Sequence, residues 1–403
     1  MRILIAAAGS RGDVAPYTGL GAALRRAGHD VALAAPDTFA PLAHRAGLEF
    51  RGLPARPRAE GDVADRRALM RSAATFVTEL GRGFATVPVH DAELLVLSPT
   101  TAPLGWHLAE ATGTPTIGAY PQPTAPTGDF PPVVTGTRSL GRLGNRAAGR
   151  FALRMTDRLY GGAVTELRRA LGLPELSPAA ARRRQEAAGW PVLHGFSETL
   201  VPRPADWRPG LEVVGTWWPY VDPAERLPGD LEDFLAAGER PVFIGFGSMA
   251  GGHGERLSEL AVQALKRSGL RGVLQAGSAG LAAGGDDVVT VGEVPHALLF
   301  PRVAAVVHHA GAGTSAAALR AGAPAVPVPV AADQPFWAAR LAALGAATEP
   351  IPFRELTVER LADALGRATR DHTHVRAAAG AARRMAAEDA AGRAVAAVER
   401  LVS

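Results

Sequence analysis

Short apolar runs recur along both halves of the chain, and each is followed by a turn and then by residues with helical spacing. The first unit consists of an apolar run at 2–8, a polar turn at 9–13, a helix that stops at Gly28, and a second apolar run at 31–35. Such alternation is typical of parallel sheets that helices cover on both faces. Further strands are predicted at 94–97 and 115–119 in the first half, and at 241–246, 272–275, 288–291, 304–308 and 325–330 in the second.

The alternation is interrupted in the middle of the chain. Residues 121–132 are rich in proline and threonine and predict a loop, 138–172 has helical spacing, and 207–228 predicts an extended linker. We therefore predict an α/β protein of two facing, Rossmann-like, doubly wound parallel-sheet domains with an interdomain cleft. The expected boundaries are 1–206 for the first domain, 207–228 for the linker, 229–380 for the second domain, and 381–403 for a C-terminal helix that could pack back on the first domain.

Composition agrees with a folded protein of this size. The 403 residues are 47% hydrophobic and 20% charged, with a mean hydropathy of +0.06, which excludes a disordered or fibrous chain. The chain has no cysteine, so disulfides, thiolate metal sites, iron–sulfur clusters and cysteine nucleophiles are excluded.

The high isoelectric point of about 10.0 does not indicate a nucleic-acid partner. Lysine and arginine number 43 against 39 acidic residues, Lys266 is the only lysine, and the arginines are scattered rather than clustered in a basic stripe. The run at 2–8 is too short for a secretion signal. The run at 321–332 is shorter than a membrane span and contains three prolines. We expect a cytoplasmic protein with no membrane span and no nucleic-acid partner.

The strongest local signal is a strand that ends in the small-residue loop His308-His309-Ala310-Gly311-Ala312-Gly313-Thr314 and opens into a helix. Unpaired amides at a helix start form an anion site. Gly311 and Gly313 would let a phosphate approach the backbone, and Thr314 and His309 could donate to it. The alternative is a structural histidine pair at a strand end. A metal site is disfavoured because adjacent strand residues point to opposite faces.

Three further positions have both a structural and a functional interpretation. The turn from Gly245 to Gly247 follows the first strand of the second domain and could hold the other end of a diphosphate. Asp13, after the first strand of the chain, is either a helix cap or a proton acceptor at the cleft. Asp333 and Gln334 are either helix caps or contacts to sugar hydroxyls.

Together these segments resemble a known family. The motifs GSRGDVAP at 9–16, VFIGFGSM at 242–249, HHAGAGT at 308–314 and DQPFW at 333–337 resemble, in order, those of bacterial nucleotide-sugar glycosyltransferases with the two-domain GT-B fold. The similarity is strongest to the branch that contains antibiotic-aglycone and sterol glucosyltransferases. It extends from residue 9 to residue 337, so it covers nearly the whole chain.

The resemblance implies a metal-independent, inverting transfer of a hexose or deoxyhexose from UDP or dTDP to a hydroxyl of an apolar natural-product aglycone. It makes 1–206 the acceptor-binding domain and 229–380 the donor-binding domain. Asp13 matches the general base. The positions that match donor contacts are Ser10, Gly12, Gly247, Ser248, Val294, His296, His309, Gly311, Gly313, Thr314, Asp333 and Gln334. Acceptor-side candidates are Phe76, Trp106, Tyr120 and Phe130.

The expected partners are therefore the nucleotide sugar and a small apolar acceptor, with no cofactor and no metal, in a monomer or homodimer. One departure from the family is Ala310, where many relatives have glycine. Two other functions use the same fold: a nucleotide-sugar epimerase or hydrolase, and a non-catalytic nucleotide-sugar-binding auxiliary protein. Incubation with the donor alone separates transfer from epimerisation.

Overall fold

The computed structural model describes residues 1–55, 66–89, 91–247, 253–277 and 280–401, with the backbone only for 66–70. In these residues the first domain contains a parallel sheet of seven strands in the order β3-β2-β1-β4-β5-β6-β7. The strands are β1 Arg2–Ala6, β2 Asp30–Pro36, β3 Glu49–Leu53, β4 Leu94–Leu97, β5 Thr116–Tyr120, β6 Val192–His194 and β7 Leu211–Val213.

The sheet of the first domain is covered by helices on both faces, as the alternation predicts. They are α1 Arg11–Arg26, α2 Ala40–Arg45, α3 Arg66–Phe84, α4 Ala102–Thr112, α5 Gly141–Ala170 and α6 Pro178–Ala187. Helix α1 has Asp13 in its first turn and Arg25 and Arg26 in its last, so its charges complement the helix dipole. Its apolar face buries Tyr17, Leu20 and Leu24 against the sheet.

The second domain contains a smaller parallel sheet in the order β10-β9-β8-β11-β12. Its strands are β8 Val242–Gly245, β9 Gly272–Gln275, β10 Val288–Val291, β11 Ala305–His308 and β12 Ala325–Pro327. Its helices and those of the tail are α7 Gly229–Ala236, α8 Gly254–Ser268, α9 His296–Leu299, α10 Ala312–Arg320, α11 Gln334–Ala343, α12 Val358–Arg370, α13 His372–Ala386 and α14 Ala390–Arg400. The two-domain α/β architecture predicted from the sequence is confirmed.

The structure differs from the predicted strands and linker in the first domain. Strands β3, β6 and β7 were not predicted, and β7 lies inside the segment 207–228 that was expected to be a linker. β6 and β7 have only three residues each, too few to show a pattern, and β3 alternates polar with apolar residues at the sheet edge. The first sheet therefore ends at Val213, and the connection to the second domain follows it.

The chain returns to the first domain at its C-terminal end. Ser197 Oγ donates a 2.6 Å hydrogen bond to Glu388 Oε1, between α13 and α14. Beyond that point α14 buries Ala394, Ala397 and Val398 in the hydrophobic cluster that includes the apolar face of α1. This final helix therefore stabilises the first domain from the opposite end of the sequence.

The strand orders place the functional loops. In each sheet the chain reverses its direction of winding at one point, between β1 and β4 in the first domain and between β8 and β11 in the second. Crevices at the carboxyl ends of strands beside such points are the usual ligand sites of open α/β sheets. No helix in the described residues is both long enough and apolar enough to cross a bilayer.

Candidate active site

The carboxylate of Asp13 is fixed in the first turn of α1, directly after β1. Its Oδ2 accepts hydrogen bonds from the backbone N–H of Ser10 at 2.8 Å and from the Ser10 hydroxyl at 2.9 Å. Gly9 has φ +141°, and a Cβ there would lie 2.5 Å from Asp13 Oδ2, so only glycine fits beneath the carboxylate. Gly12, next to Asp13, is exposed. Asp13 is thus positioned by its own turn, with its side chain half-buried.

The imidazole of His309 is held between two glycines of the second domain. A Cβ at Gly247 would lie 2.7 Å from His309 Cε1, and one at Gly311 would lie 2.6 Å from His309 Nε2. The two loops that follow the adjacent strands β8 and β11 therefore meet around one ring. His309 Nδ1 is buried and has no hydrogen-bond partner in the described part of the chain.

Helix α10 begins immediately beside this ring. Gly311 is its N-cap, and Gly313 and Thr314 lie in its first turn, where the backbone N–H groups have no partner within the helix. Among the described residues no side chain caps this end, and the buried Ser315 Oγ has no hydrogen-bond partner. The positive end of the helix dipole and the His309 ring therefore face the same place.

Ala310 takes a left-handed conformation with φ +63°. This explains why glycine is common there in the family that the sequence resembles, because a Cβ is strained in this region. The Ala310 N–H donates a 3.0 Å hydrogen bond to His308 Nδ1, so His308 is engaged by the loop itself. His308 is the structural member of the histidine pair, and His309 is the one at the site.

Asp333 carries the second carboxylate of the site, at the start of α11. Its Oδ2 accepts the indole N–H of Trp337 at 2.7 Å and the side-chain amide of Gln122 at 2.9 Å. Gln122 follows β5 in the first domain, so this hydrogen bond crosses between the domains. The Gln334 side chain is turned inward, since its Oε1 accepts the backbone N–H of Val330 at 2.7 Å.

The two carboxylates interact electrostatically. Burial raises the pKa of Asp333, the Trp337 hydrogen bond lowers it in part, and the negative charge of Asp13 raises it further. The cleft thus brings one carboxylate from each domain within range of the other. The hydrogen bonds from Gln122 and Trp337 stabilise the ionised form of Asp333 against this repulsion.

Three histidines near the cleft are neutral at pH 7. Burial lowers the pKa of His309 and of His296 to about 4 and that of His308 to about 3. A neutral imidazole donates one N–H and accepts at the other nitrogen. His309 can therefore bind an anion by hydrogen bonding without carrying a charge of its own.

The segment 292–296 lies close to Arg11 of the first domain and to the His309 ring. The His296 ring stacks on Phe300 with centroids 4.2 Å apart, while Val294 packs in the core of the second domain. Glu293 forms a 3.0 Å ion pair with Arg11 from the start of α1. Like the Gln122–Asp333 hydrogen bond, this ion pair crosses between the domains. It joins the turn that carries Asp13 to the second domain.

The acceptor-side candidates lie in different environments. Trp106 is in the core of the first domain, edge to face with Trp190 at 5.1 Å, and Phe76 is half-buried on α3. Tyr120 ends β5, two residues before Gln122. The ring of Phe130 packs against that of Phe336 in the second domain, with centroids 5.3 Å apart. Only Tyr120 and Phe130 are thus near residues that join the two domains.

Ser248 lies outside the described residues, so its expected donor contact stays a prediction. Within the part of the chain that the structure describes, no three His, Asp or Glu side chains form a group that could hold a metal ion.

Sequence reasoning missed Gln122 and the Arg11–Glu293 pair, because their partners are far away along the chain. Trp337 lies in the motif at 333–337, and its role as the hydrogen-bond donor to Asp333 was not predicted. The four-residue spacing from Asp333 on a helix was a usable signal, because such residues share one face.

Two facing parallel-sheet domains, with strand-end loops that meet across one cleft, make up the GT-B fold, in which many sugar transferases are built. Family models agree. Residues 3–87 match the glycosyltransferase family 28 N-terminal domain. Residues 274–401 match the erythromycin biosynthesis protein CIII-like C-terminal domain.

Individual relatives cover nearly all of the chain. It is 36% identical over 389 residues to an O-mycaminosyltylonolide 6-deoxyallosyltransferase of Streptomyces fradiae, covering 92% of this chain and 90% of that protein. It is 32% identical over 392 residues to a sterol 3-beta-glucosyltransferase of Arabidopsis thaliana, covering 91% of this chain and 60% of the relative. A glycosyltransferase of Streptomyces sp. SF2575 in complex with thymidine diphosphate has the same fold, with a TM-score of 0.64, 21% identity and 99% coverage of both chains. The chain belongs to the glycosyltransferase family that includes antibiotic and sterol glycosyltransferases, and it is a transferase.

Proposed function

We propose that this protein transfers a hexose or deoxyhexose, with inversion, from UDP or dTDP to a hydroxyl of an apolar natural-product acceptor. The observation that carries the proposal is that Asp13 of the first domain and Asp333 of the second lie close enough for the charge of Asp13 to raise the pKa of Asp333. One carboxylate belongs to the acceptor side and one to the donor side. A transfer between two bound substrates requires such an arrangement, with one carboxylate for the acceptor and one for the sugar of the donor.

The donor diphosphate binds at the start of α10 in this proposal. The free amides of its first turn and the neutral His309 N–H donate to the phosphate oxygens. These donors are fixed before the reaction, so they stabilise the charge that develops on the leaving diphosphate without reorganising. We propose on this ground that no metal ion is needed and that chelation with EDTA leaves the rate unchanged.

Asp13 is the general base in this scheme. The acceptor oxygen attacks the anomeric carbon, the bond from that carbon to the diphosphate breaks, and the acceptor proton passes to the Asp13 carboxylate. A single displacement of this kind inverts the anomeric configuration. Ser10 orients the carboxylate through Oδ2, and Asp333 holds sugar hydroxyls opposite it.

The relatives support the substrate classes. One is named as a 6-deoxyallosyltransferase of O-mycaminosyltylonolide, and one structural neighbour was solved with thymidine diphosphate. The name of the first favours a deoxyhexose over glucose, and the nucleotide bound to the second favours dTDP over UDP. The sterol glucosyltransferase supports an apolar, polycyclic acceptor as the other possibility.

A matrix of donors and acceptors tests the proposal by mass spectrometry. UDP-glucose and several dTDP-deoxyhexoses are each incubated with macrolide, aromatic polyketide and sterol acceptors, and with no acceptor. We expect a glycoside in at least one donor–acceptor pair, with the β product from an α donor by NMR. Epimerised or hydrolysed sugar at an equal rate without any acceptor would favour the epimerase or hydrolase instead. Binding of the donor without turnover in any combination would favour the auxiliary protein.

A further inference from the structure

Exposed apolar side chains gather on one surface of the first domain. We define the α5 surface by the apolar residues Val134, Leu140, Leu143, Phe151 and Met155 together with Arg150, Arg154 and Arg158. These apolar side chains are 60%, 60%, 82%, 59% and 37% exposed. Elsewhere in the described residues only Val375 and Leu401 are large, hydrophobic and comparably exposed. Clustering of this kind marks an interaction site rather than ordinary surface composition.

The same surface has a one-sided charge. From 134 to 158 the sequence contains six arginines and one acidic residue, Asp157, which forms an ion pair with Arg182. Arg142 and Arg146 are paired with Asp129 and Asp206. In the described part of the chain Arg150 and Arg154 are exposed and form no ion pair.

Helical geometry puts both kinds of side chain on one face. Leu143, Phe151 and Met155 follow each other at spacings of eight and four residues, and Arg150, Arg154 and Arg158 at spacings of four. The opposite face of α5 buries Asn145, Gly149 and Tyr160 against the domain. The exposed face extends about 27 Å from Leu140 to Arg158, at about 1.5 Å per residue.

We propose that the α5 surface docks this protein on an anionic phospholipid bilayer. A cationic face with protruding Leu, Phe and Met side chains is complementary to a negatively charged interface, where arginines bind headgroups and apolar side chains enter the acyl boundary. The apolar residues are interleaved with arginines rather than gathered in one block. This suits a fluid, uniformly charged surface better than a rigid protein partner with a dry contact core.

The position of the α5 surface suggests what membrane docking would do for the reaction. The segment that leads into it passes through Phe130, which contacts Phe336 of the second domain at the cleft. Docking would therefore hold the acceptor side of the cleft near the bilayer, where an apolar acceptor concentrates. This last point rests on the proposed function, whereas the docking itself does not.

Vesicle co-sedimentation of the full chain tests the proposal without any sugar substrate. We expect binding to vesicles of phosphatidylcholine with 30% phosphatidylglycerol in about 50 mM salt, and its loss in 0.5 M salt or on pure phosphatidylcholine. Arg150→Gln with Arg154→Gln should weaken binding by about 30-fold, and Leu143→Ser with Phe151→Ser by a similar factor. The control Arg376→Gln with Arg393→Gln makes the same charge change on exposed residues of α13 and α14 and should have little effect.

Calorimetry should give every variant the same affinity for UDP as the wild type, and likewise for dTDP. Unchanged affinities show that each variant is folded. Wild-type protein that stays in the supernatant with the anionic vesicles would overturn the proposal, as would equal losses in the control variant. Light scattering measures the oligomeric state, which decides whether a second copy of the chain covers this surface instead. A wild-type dimer that Leu143→Ser with Phe151→Ser makes monomeric would assign the surface to a second copy of this chain.

Discussion

Gln122 and Asp333 join the two domains through a single hydrogen bond, 2.9 Å from the side-chain amide nitrogen to Oδ2. The same oxygen accepts the Trp337 indole N–H at 2.7 Å. Gln122 belongs to the loop that follows β5 in the first domain, and Asp333 is the proposed sugar contact in the second. The loop that follows β5 therefore orients the Asp333 carboxylate of the other domain directly.

Replacing Gln122 by leucine should raise KM for the nucleotide sugar by about 10-fold or more, because a hydrogen bond to a charged group is lost. The pKa of Asp333, already raised by burial, should rise further, so the acid limb of kcat/KM should move to higher pH. Steady-state kinetics between pH 4 and 8 measure both effects. The control Gln263→Leu, on the exposed face of α8, should change neither. An unchanged acid limb in the Gln122 variant would show that this hydrogen bond is only structural.

Asp13→Asn should fold normally and lose turnover by about 10² to 10⁴, the usual contribution of a general base. Asparagine keeps an acceptor for the Ser10 N–H, so the first turn of α1 is retained. Ser10→Ala removes one of the two donors to Asp13 and should cost much less. Rates of single-turnover transfer, with melting temperatures as the folding control, make the comparison. A rate within a few-fold of wild type would leave Asp13 as a helix cap.

His309→Ala should weaken nucleoside diphosphate binding by about 10-fold, because one fixed donor to the phosphates is removed. His309→Gln keeps an N–H at a similar distance and should recover part of the loss. Since the pKa of His309 is about 4, wild-type affinity should not change with titration of this ring between pH 6 and 8. Calorimetry with UDP and dTDP measures each affinity, with His372→Ala on exposed α13 as the control. Equal affinities in wild type and His309→Ala would place this ring outside the donor site.

Gly311 and Gly313 offer a matched pair on one helix turn. A Cβ at Gly311 would lie 2.6 Å from His309 Nε2, whereas a Cβ at Gly313 would meet nothing within 4 Å. Gly311→Ala should therefore displace the ring and lower the free energy of unfolding by about 1 to 3 kcal/mol. Gly313→Ala should leave it unchanged or raise it by up to about 1 kcal/mol. Denaturant unfolding of both variants distinguishes them, and equal stabilities would mean that His309 moves freely between its glycines.

The sequence predicts those parts of the site that local patterns determine. The strand-end loops with Asp13, His309 and Asp333 each follow an apolar run, and parallel topology then brings their carboxyl ends to one cleft. Gln122 lacks such a signal, because its partner is 211 residues away and the loop between Tyr120 and α5 has no periodicity. Its place depends on how the two domains face each other.

The same reasoning explains the difference at the linker. Strand β7 forms because Leu211 and Val213 extend the first sheet beside β6. This pairing is a tertiary contact, and the sequence of a segment with several prolines does not predict it. Gln334 is similar. Its residue type suits sugar hydroxyls, but the turn at Ala332, with φ +57°, directs its carbonyl to the backbone amide of Val330.

Asp206 anchors the loop between β5 and α5 and should give the protein a pH-dependent share of its stability. Its carboxylate accepts hydrogen bonds from the Thr127 hydroxyl at 2.6 Å and the Gly128 N–H at 2.8 Å, and it pairs with Arg146 of α5. Burial alone would raise the pKa of Asp206, but these contacts outweigh it and lower the pKa to about 2. A folded-state pKa below the unfolded value stabilises the fold above about pH 4, and this contribution is lost as the pH falls from about 4 to 2.

Asp206→Asn should therefore lower the free energy of unfolding at pH 7 by about 1 to 2 kcal/mol, less than the ~2.5 kcal/mol that the lowered pKa corresponds to, because water screens part of the Arg146 contact. The deficit relative to wild type should shrink as the pH falls from 4 to 2, because the wild-type carboxylate is then protonated too. Urea unfolding of both proteins at pH 7, 4 and 2.5 gives the comparison, with Asp363→Asn on exposed α12 as the control. A deficit that stays constant over this pH range would assign the loss to packing rather than to charge. Since the loop that Asp206 anchors also carries Gln122 and Phe130, the same variant should raise KM for the acceptor even where the protein is fully folded.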